Sequence, residues 1–366
     1  MTGTVFYGKE QYSFAQISRG DLPELSAHED LEEALLFCQQ WLQGAGQFTL
    51  QTSGSTGEPK PITVTRELMA LSAARTIKAV DLLAGQHALL CLPTRFIAGK
   101  MMLVRAMEAN MDISIVPPAG NPLRNWESDR PIDFTALIPM QMEQILQEAT
   151  TREKLTAIDK IILGGGATSE ALKRALQDIP SQVYATYGMT ETVSHIALQK
   201  LNGPDKQESF EALGELTLSQ DERDCLIISG YGGPDLITND RVELLDQRHF
   251  KWLGRADFVI NSGGIKMQPE LLEAKAANAL KAHLTDRQWL IAARPQQQLG
   301  EELVLVIEGH AFGEAEEAAI NEALKKALSR FEQPRAIVYL AVLPQTPTGK
   351  LKRAEISQLL SAGKGQ

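Results

Sequence analysis

Hydrophobic and polar positions follow two periods along the first two thirds of the chain, and the two periods alternate. Short apolar runs bounded by turn residues predict strands, whereas apolar positions three and four residues apart predict helices. The predicted strands cover residues 47–51, 87–93, 112–116, 134–138, 158–163 and 182–186, and the predicted helices cover 99–110, a segment ending at 147 and a segment after Thr168. This order is typical of an α/β fold with helices on a largely parallel sheet.

The last third of the chain has a different order of elements. After Asp257 the pattern predicts a strand, and then a helix at 269–284, strands at 288–293 and 302–307, a helix at 314–330 and a strand at 335–342. Such a set is sufficient for a compact α+β domain. We therefore expect an α/β domain over residues 1–256 and a smaller α+β domain over residues 257–366.

A run of hydroxyl residues and glycines follows the strand predicted at 47–51. It consists of Thr52, Ser53, Gly54, Ser55, Thr56, Gly57, Glu58, Pro59 and Lys60. Glycines allow the backbone to approach a ligand closely, and N–H groups, hydroxyls and a lysine can surround a polyphosphate. Because Lys60 lies between two prolines, no helix continues from it, and the run is not a Walker A loop. Taken alone, the run is equally compatible with a flexible surface loop.

Two more segments follow predicted strands, where α/β folds bind their ligands. The first contains Gly164, Gly165, Gly166 and Ala167, and it could either admit a flat base or form a tight turn. In the second, at 187–192, Tyr187 could stack on a base, Thr190 could bond a phosphate and Glu191 could hold a divalent cation. The alternative interpretation of the second segment is a core tyrosine followed by a helix cap.

Two single residues add candidate chemistry nearer the C-terminus. Asp240 could accept hydrogen bonds from ribose hydroxyls, although an aspartate after an asparagine is more often a turn residue. Lys350 follows a turn that contains proline and glycine, and a lone lysine in such a place is usually solvated. Neither residue identifies a site by itself.

In their order and spacing, these segments resemble the core motifs of the adenylate-forming superfamily, which contains acyl-CoA synthetases, peptide-synthetase adenylation domains and luciferases. The similar segments are 52–60, 187–192, the surroundings of Asp240, 254–270 and 344–350. The resemblance covers the chain after residue 45. It implies a large α/β domain, a small mobile α+β domain, and an AMP-forming acid–CoA ligase that uses ATP, Mg²⁺ and coenzyme A.

The resemblance also implies a set of nucleotide-binding residues. Ser53 to Lys60 would hold the β- and γ-phosphates, the run 164–167 and Tyr187 would hold the adenine, and Asp240 and Arg255 would hold the ribose. The complete implied set is Thr52, Ser53, Gly54, Ser55, Thr56, Gly57, Lys60, Gly164, Gly165, Gly166, Ala167, Tyr187, Gly188, Met189, Asp240 and Arg255.

The implied catalytic residues are Lys350, Thr190 and Glu191. Thr190 would contact the α-phosphate, Glu191 would bind Mg²⁺, and Lys350 would stabilise charge during adenylation. Asp257 would be the hinge about which the small domain turns between adenylation and thioester formation.

The chain departs from the superfamily pattern in three places. Fewer residues precede the phosphate loop than is usual, so one N-terminal subdomain is expected to be reduced or missing. Asn239 replaces the usual glycine before Asp240, and Phe96 occupies the position of a common histidine. The last change leaves the role of that position in acyl binding in doubt.

The acyl site is expected at Phe96, Lys100, Arg105, Ser194 and His195. The segments 99–105 and 187–198 are similar to those of o-succinylbenzoate–CoA ligases of menaquinone biosynthesis, whose acid has two carboxylates. One carboxylate is activated, and the other needs a cation such as Lys100 or Arg105. The alternatives are that Lys100 caps a helix, that Arg105 pairs with Glu108 on an exposed face, and that His195 lies in the core.

Composition excludes some of the remaining classes of function. The chain has 366 residues and a formal net charge of −10, which argues against binding to nucleic acid. The sequence has no signal peptide, no apolar run of the roughly 20 residues that span a bilayer, and no metal-binding spacing of its three cysteines. We therefore expect a cytoplasmic protein that is not inserted in a membrane and whose partners are a small carboxylic acid, ATP and coenzyme A. The sequence does not predict its oligomeric state.

Three other functions stay open from the sequence. One is a ligase for another aryl or medium-chain acid, and another is a nucleotide-binding homologue that has lost catalysis. Retention of Glu191, Asp240, Arg255 and Lys350 argues against such a loss. A P-loop NTPase is the weakest alternative, because the glycine-rich run lacks the Walker A ending.

Overall fold

The computed structural model describes residues 2–22, 29–51, 61–124, 126–127, 130–285, 287–346 and 350–363. The strands in this part of the chain are β1 (Thr4–Tyr7), β2 (Glu10–Ser13), β3 (Gln47–Gln51), β4 (Pro61–Thr65), β5 (His87–Leu90), β6 (Asp112–Ile115), β7 (Ile132–Leu137), β8 (Ile158–Leu163), β9 (Gln182–Gly188), β10 (His195–Lys200), β11 (Phe210–Ala212), β12 (Thr217–Gln220), β13 (Cys225–Ser229), β14 (Leu236–Leu244), β15 (His249–Arg255), β16 (Ile260–Ser262), β17 (Ile265–Met267), β18 (Trp289–Gln296), β19 (Gly300–Glu308) and β20 (Ala336–Leu340).

Helices occupy the connections. They are α1 (Phe14–Arg19), α2 (Glu29–Leu42), α3 (Arg66–Ala79), α4 (Ile97–Ala109), α5 (Pro139–Gln147), α6 (Ala149–Leu155), α7 (Glu170–Ala175), α8 (Pro269–Leu280), α9 (Glu314–Ala327) and α10 (Arg353–Ser361). Short 3₁₀ turns cover Leu176–Asp178, Thr190–Thr192 and Ala256–Phe258. No helix in the described ranges is long and apolar enough to cross a bilayer.

One large sheet forms the body of the molecule, in the order β12-β13-β14-β15-β11-β10-β9-β8-β7-β5-β6-β1-β2. Strands β1, β6, β5, β7, β8 and β9 are mutually parallel, and their nearly continuous apolar sequences suit burial on both faces. From β9 to β12 all neighbours are antiparallel. The expected largely parallel sheet is therefore wrong for this half, where short connections lead directly from one strand to its antiparallel partner.

A second sheet contains β16 to β20, with β19 paired to β16, β18 and β20. The buried apolar clusters are divided between the two sheets. Two clusters draw only on residues between Val5 and Phe250, and two draw only on residues between Ile260 and Leu360. This division favours the domain boundary predicted between residues 256 and 257, which stays a prediction.

A separate hairpin carries the segment predicted to bind phosphate. Strands β3 and β4 are antiparallel, and Gln51 lies opposite Pro61, so the ends of the intervening segment lie side by side. The predicted residues Thr52 to Lys60 themselves lie outside the described residues. The hairpin continues into α3, whose first turn is capped by the hydroxyl of Thr65 accepting from Leu68 N.

Candidate active site

The glycine run and the segment after β9 meet at the carboxyl edge of the parallel strands. Gly164 N donates to Leu137 O over 3.0 Å, and Thr186 Oγ1 donates to Leu163 O over 3.0 Å. A Cβ at Gly164 would lie 2.8 Å from Thr186 Oγ1, so the close approach of these strand ends requires glycine there. The structure therefore brings the predicted residues 164–167 beside Tyr187, as expected for two loops at one sheet edge.

Tyr187 and Asp240 form a buried pair at this edge. Tyr187 Oη donates to Asp240 Oδ2 over 2.7 Å, and Trp252 Nε1 donates to the other carboxylate oxygen over 3.3 Å. The Tyr187 ring also packs edge-on against Phe250, with ring centres 5.0 Å apart. Burial and the adjacent Asp240 carboxylate raise the pKa of Tyr187. Asp240 is thus held in one orientation by two aromatic donors.

Of these two donors, sequence reasoning missed Trp252. The register of β14 and β15 brings Trp252 opposite Val242, two residues from Asp240, and no local spacing in the sequence signals that contact. Tyr187 is largely buried in this structure, because only 9% of the residue remains exposed. The stacking of adenine on Tyr187 stays a prediction.

Arg255 ends β15 and faces two carboxylates. Its guanidinium lies 4.0 Å from Asp240 Oδ1 and forms an ion pair with the exposed Asp257. On the backbone side, Arg255 O accepts from Gln268 Nε2 over 2.9 Å. The predicted ribose pair, Asp240 and Arg255, is therefore adjacent to the predicted hinge residue.

Lys350 lies close to this group of residues. Its backbone N–H donates to Thr346 Oγ1 over 3.1 Å, and its carbonyl accepts from Thr346 N over 2.8 Å. Desolvation lowers the pKa of Lys350, repulsion from Arg255 lowers it further, and attraction to Asp240 opposes these effects. Within the described ranges, the Lys350 ammonium has no hydrogen bond and no ion pair.

The segment after β9 turns sharply at Val193. Thr190–Thr192 form a 3₁₀ turn, and Ser194 N then donates to Thr192 O over 2.8 Å across Val193, whose φ is +67° and ψ is −51°. This is the strained form of the γ-turn, and a β-branched residue adopts it only when the surroundings hold it there. The side chain of Val193 is fully buried, which supplies that constraint.

Glu191 projects from the same turn and is exposed. The described residues contain no group of three or more histidine, cysteine, aspartate or glutamate side chains that could hold a metal ion without help from a substrate. Thr190 is half-buried beside it. The turn therefore presents one hydroxyl and one carboxylate next to the strand end.

Arg105, Ser194 and His195 lie together in the interior. Arg105 Nη2 donates to Ser194 Oγ over 2.8 Å, Ser194 Oγ lies 3.4 Å from His195 Nδ1, and His195 Nε2 lies 2.9 Å from Thr76 Oγ1. Arg105 is 2% exposed and His195 is 7% exposed. Burial lowers the pKa of Arg105 to about 9, and burial together with Arg105 lowers the pKa of His195 well below its ordinary value.

The proposed exposed pair of Arg105 with Glu108 is wrong. Glu108 accepts from Trp41 Nε1 over 3.0 Å and lies 3.8 Å from Arg66. Arg105 instead donates to Ser194 Oγ and is almost completely buried, so it does not lie on an exposed face with Glu108.

Lys100 does not join Arg105, although both are on α4. Lys100 Nζ donates to Thr94 O over 2.6 Å and lies 3.6 Å from Glu33, a residue of α2. α4 has no side-chain cap at its start, so the alternative that Lys100 caps this helix is wrong. Phe96 precedes the first residue of α4 and is half-buried, with the Arg95 guanidinium 5.1 Å from its ring centre.

Comparison with known proteins identifies the family. The chain matches AMP-binding enzymes over residues 48–221. It is 39% identical to an acyl-CoA synthetase (AMP-forming)/AMP-acid ligase II-like protein from Dyadobacter fermentans, and the similarity covers 93% of this chain and 97% of that chain with a TM-score of 0.62.

Two further relatives carry more specific names. A probable 2-succinylbenzoate–CoA ligase of Mycobacterium tuberculosis is 26% identical over 355 residues, which are 90% of this chain and 88% of the relative. The O-succinylbenzoate coenzyme A synthetase of Bacillus subtilis, solved in complex with ATP and magnesium ion, has the same fold at 20% identity and a TM-score of 0.70, covering 84% of this chain and 69% of that one.

These matches confirm the predicted superfamily, fold class and enzyme class of AMP-forming acid–CoA ligases. The similarity to the Dyadobacter protein extends over nearly the full length of both chains. The chain therefore belongs to the family of AMP-binding enzymes.

Proposed function

We propose that this protein ligates 2-succinylbenzoate to coenzyme A, as a step of menaquinone biosynthesis. The reaction converts 2-succinylbenzoate, ATP and coenzyme A into 2-succinylbenzoyl-CoA, AMP and diphosphate. Family membership supports the reaction class. The names of the relatives from M. tuberculosis and B. subtilis support the choice of acid.

The observation that carries the proposal is the charge environment of Lys350. Lys350 is exposed, its ammonium has no ion pair among the described residues, and the charges that act on its pKa include those of Asp240 and Arg255, the two residues expected to hold a ribose. A lysine in such surroundings offers a cation to a group that is not part of the protein. The phosphates of a nucleotide whose ribose is held by Asp240 satisfy that requirement.

The first half-reaction joins the acid to the nucleotide. A carboxylate oxygen of the acid attacks the α-phosphorus of ATP, the bond to the bridging β-phosphate oxygen breaks, and diphosphate leaves. No protein nucleophile is required, so the residues act by positioning the reactants and by offsetting negative charge. In this scheme Asp240 accepts from the ribose hydroxyls, and Lys350 lies against the phosphates.

The exposed carboxylate of Glu191 is suited to a magnesium ion that the protein shares with its substrate. Mg²⁺ is usually held by one or two carboxylates and by the phosphate oxygens of the substrate, and it does not need an all-protein cage. The exposed Glu191, next to Thr190, is suited to such a shared site. When bound there, the ion would offset the charge that develops on the leaving diphosphate.

The second half-reaction uses the thiol of coenzyme A. The thiolate attacks the carbonyl carbon of the acyl-adenylate, the bond to the AMP oxygen breaks, and AMP leaves. An ammonium kept beside the α-phosphate would obstruct this attack, so Lys350 has to withdraw. A rotation at Asp257, which follows β15 and precedes β16, would remove it together with the second sheet.

The test is a panel of carboxylic acids with ATP, Mg²⁺ and coenzyme A, read as diphosphate release and thioester formation. We expect 2-succinylbenzoate to have the highest kcat/KM in the panel. A higher value for a different aryl or medium-chain acid would replace the substrate but keep the reaction class. Absence of diphosphate release with every acid would exclude the ligase function.

A further inference from the structure

We propose that Trp252 is a positioning residue for Asp240, and that a β-bulge in β15 turns its indole toward that carboxylate. The inference rests on the proposed function, because it assumes that Asp240 accepts from the hydroxyls of a bound nucleotide. It adds a residue and a specificity. By holding Asp240 in one orientation, the indole N–H of Trp252 makes the site prefer a ribonucleotide to the corresponding 2′-deoxyribonucleotide.

The register between β14 and β15 shifts by one residue beside Asp240. Asp240 lies opposite Arg255, but Val242, two residues further along β14, lies opposite Trp252, which is three residues away on β15. One residue of β15, Leu253, therefore has no partner on β14. An extra residue of this kind is a β-bulge, and bulges beside functional sites change the direction of neighbouring side chains.

The bulge places Trp252 and Arg255 on the same face of the sheet as Asp240. Asp240 and Val242 share that face because they are two residues apart on one strand. Arg255 and Trp252 share it because each lies directly opposite one of these two residues. In a regular strand, residues three apart point to opposite faces. Without the bulge, only one of the two side chains on β15 would lie on the face of Asp240.

The carboxylate of Asp240 has one donor on each oxygen and acceptor positions to spare. Only 8% of Asp240 is exposed, and a buried carboxylate requires hydrogen-bond donors. Trp252 Nε1 donates to Oδ1 over 3.3 Å, and Tyr187 Oη donates to Oδ2 over 2.7 Å. Because an ionised carboxylate offers roughly four acceptor positions, about two remain for a ligand. The neighbouring 2′- and 3′-hydroxyls of a ribose match these two positions.

The orientation of Oδ1 depends on Trp252 more than on any other described residue. The guanidinium of Arg255 is 4.0 Å from Oδ1, and it also forms an ion pair with Asp257. Within the described ranges, Oδ1 accepts no hydrogen bond other than that of Trp252. The backbone of Asp240 is fixed separately, because its N–H donates to Thr238 Oγ1 over 3.1 Å. Loss of the indole N–H would therefore free the carboxylate to rotate while the strand stays in place.

The experiment compares ATP with 2′-deoxyATP in diphosphate release, using the acid with the highest activity in the panel. The nucleotide preference is the ratio of the two kcat/KM values, and wild type should prefer ATP. In Trp252→Phe we expect this preference to fall by about 2- to 13-fold, the effect of one hydrogen bond. The loss should come from a higher KM for ATP, with kcat for ATP and KM for 2′-deoxyATP nearly unchanged.

Two further variants separate the N–H from the ring that carries it. Trp252→Gln removes the ring but keeps a donor, because the amide nitrogen of glutamine is as many bonds from Cβ as the indole nitrogen. It should retain more of the nucleotide preference than Trp252→Phe. Tyr187→Phe removes the donor to the other oxygen and keeps the packing against Phe250. It should also lower the preference, and it provides the test if Trp252→Phe does not fold.

Tyr339→Phe is the matched control for removing an aromatic donor from a carboxylate. Tyr339 belongs to β20 in the second sheet, and its Oη donates to Glu317 Oε1 over 2.8 Å. This variant should lower Tm and leave the nucleotide preference at the wild-type value. If Trp252 only supported the fold, Trp252→Phe would behave in the same way, because loss of stability lowers kcat/KM for both nucleotides by one factor.

The inference and the proposed function fail in different ways. No diphosphate release by the wild-type protein with any acid would overturn the proposed function. An active wild-type protein that uses ATP and 2′-deoxyATP equally well, or a Trp252→Phe protein with the wild-type preference, would overturn only the inference. Equal preferences in Trp252→Gln and Trp252→Phe would overturn it as well, because the loss would then belong to the indole ring and not to its N–H.

Discussion

At the scale of single residues, the most informative side chains are the cations that have no carboxylate partner. Arg105 is almost completely buried and Lys350 is exposed, and in the described structure neither has a carboxylate partner within ion-pair distance. By contrast, Lys100 and Arg66 reach Glu33 and Glu108. A cation without a carboxylate partner is suited to an anionic substrate, because the substrate itself can provide the compensating charge.

Removal of the Lys350 ammonium should separate the two half-reactions. In Lys350→Ala we expect diphosphate release to fall by about 10²–10³-fold, the usual effect of losing one group that stabilises developing charge. Thioester formation from preformed acyl-adenylate should change by less than threefold. Both rates are measured separately, by diphosphate release without coenzyme A and by thioester formation from the adenylate. Equal losses in the two assays would contradict the adenylation role.

His195 should make stability depend on pH. Burial and Arg105 lower its pKa in the folded protein, whereas the unfolded value stays near 6.5. Below about pH 6.5 the unfolded chain therefore binds one proton that the folded chain refuses, and the free energy of unfolding falls as pH falls, by up to about 1.4 kcal/mol per pH unit. Above that pH the contribution is fully present.

The check is the free energy of unfolding of wild type and His195→Gln between pH 5 and pH 8. We expect a shallower decline on the acid side in the variant, because glutamine has no proton to take up and can still donate to Thr76. Parallel curves for the two proteins would mean that the folded and unfolded states bind a proton at His195 over the same pH range. That result would argue against a neutral, buried imidazole in the folded protein.

At the scale of elements, sequence patterns predict the parallel half of the sheet well and the antiparallel half poorly. β5 to β9 are continuous apolar runs separated by helical segments, which is a strong and local signal. β10 to β15 include strands as short as the three residues Phe210–Ala212, and they are stabilised by cross-strand pairs that are distant in sequence. The contact of Tyr187 with Asp240 could not be predicted from the sequence for the same reason, since it joins residues on different strands.

The junction of β15 and α8 depends on one glycine. Gly254 has φ +137°, and a Cβ there would lie 2.6 Å from Glu270 Oε2 and closer still to Gln268 Nε2. Gly254→Ala should therefore displace the first turn of α8 from β15. Because Glu270 in the first turn of α8 is one of the charges that act on Lys350, we expect slower diphosphate release together with a lower Tm.

A variant at a second glycine provides a control that distinguishes the effect of this clash from the effect of backbone strain alone. Gly264 also has positive φ, +86°, but a Cβ there would meet nothing within 4 Å. Gly264→Ala should lower Tm by strain only and leave the rate of diphosphate release unchanged. A Gly254→Ala protein with normal adenylation would show that the approach of α8 to β15 does not control the position of Lys350.

At the scale of the molecule, the buried apolar clusters of the described residues fall into two groups, one before the predicted boundary and one after it. The domain boundary and the roles of the site residues stay predictions, because they come from local patterns and from motif spacing. The sequence does not predict that the charges of Asp240 and Arg255 act on Lys350, since that depends on how the second sheet packs beside the first. Arg105 was expected at the acyl site, but its burial without a partner is visible only once α3, α4 and β10 are assembled.

Gln268 provides a way to test whether the arrangement of the two bodies governs the balance of the half-reactions. Its Nε2 donates across the predicted boundary to Arg255 O and also to Glu270 Oε2 over 2.7 Å, while its own Oε1 is buried without a partner. A contact made in only one arrangement raises the population of that arrangement by its own free energy. One hydrogen bond contributes about 0.5–1.5 kcal/mol, or roughly 2- to 13-fold in population.

Gln268→Met keeps the volume of the side chain and removes the hydrogen bond together with the unpaired Oε1. We expect diphosphate release to slow by about 2- to 13-fold, whereas thioester formation from preformed adenylate should stay constant or become faster, because the competing arrangement is now more populated. Both rates come from single-turnover measurements, so product release does not mask the change. If both half-reactions slow in proportion, Gln268 supports the fold of the second body and does not select between arrangements, and the rotation at Asp257 would lose its support from this contact.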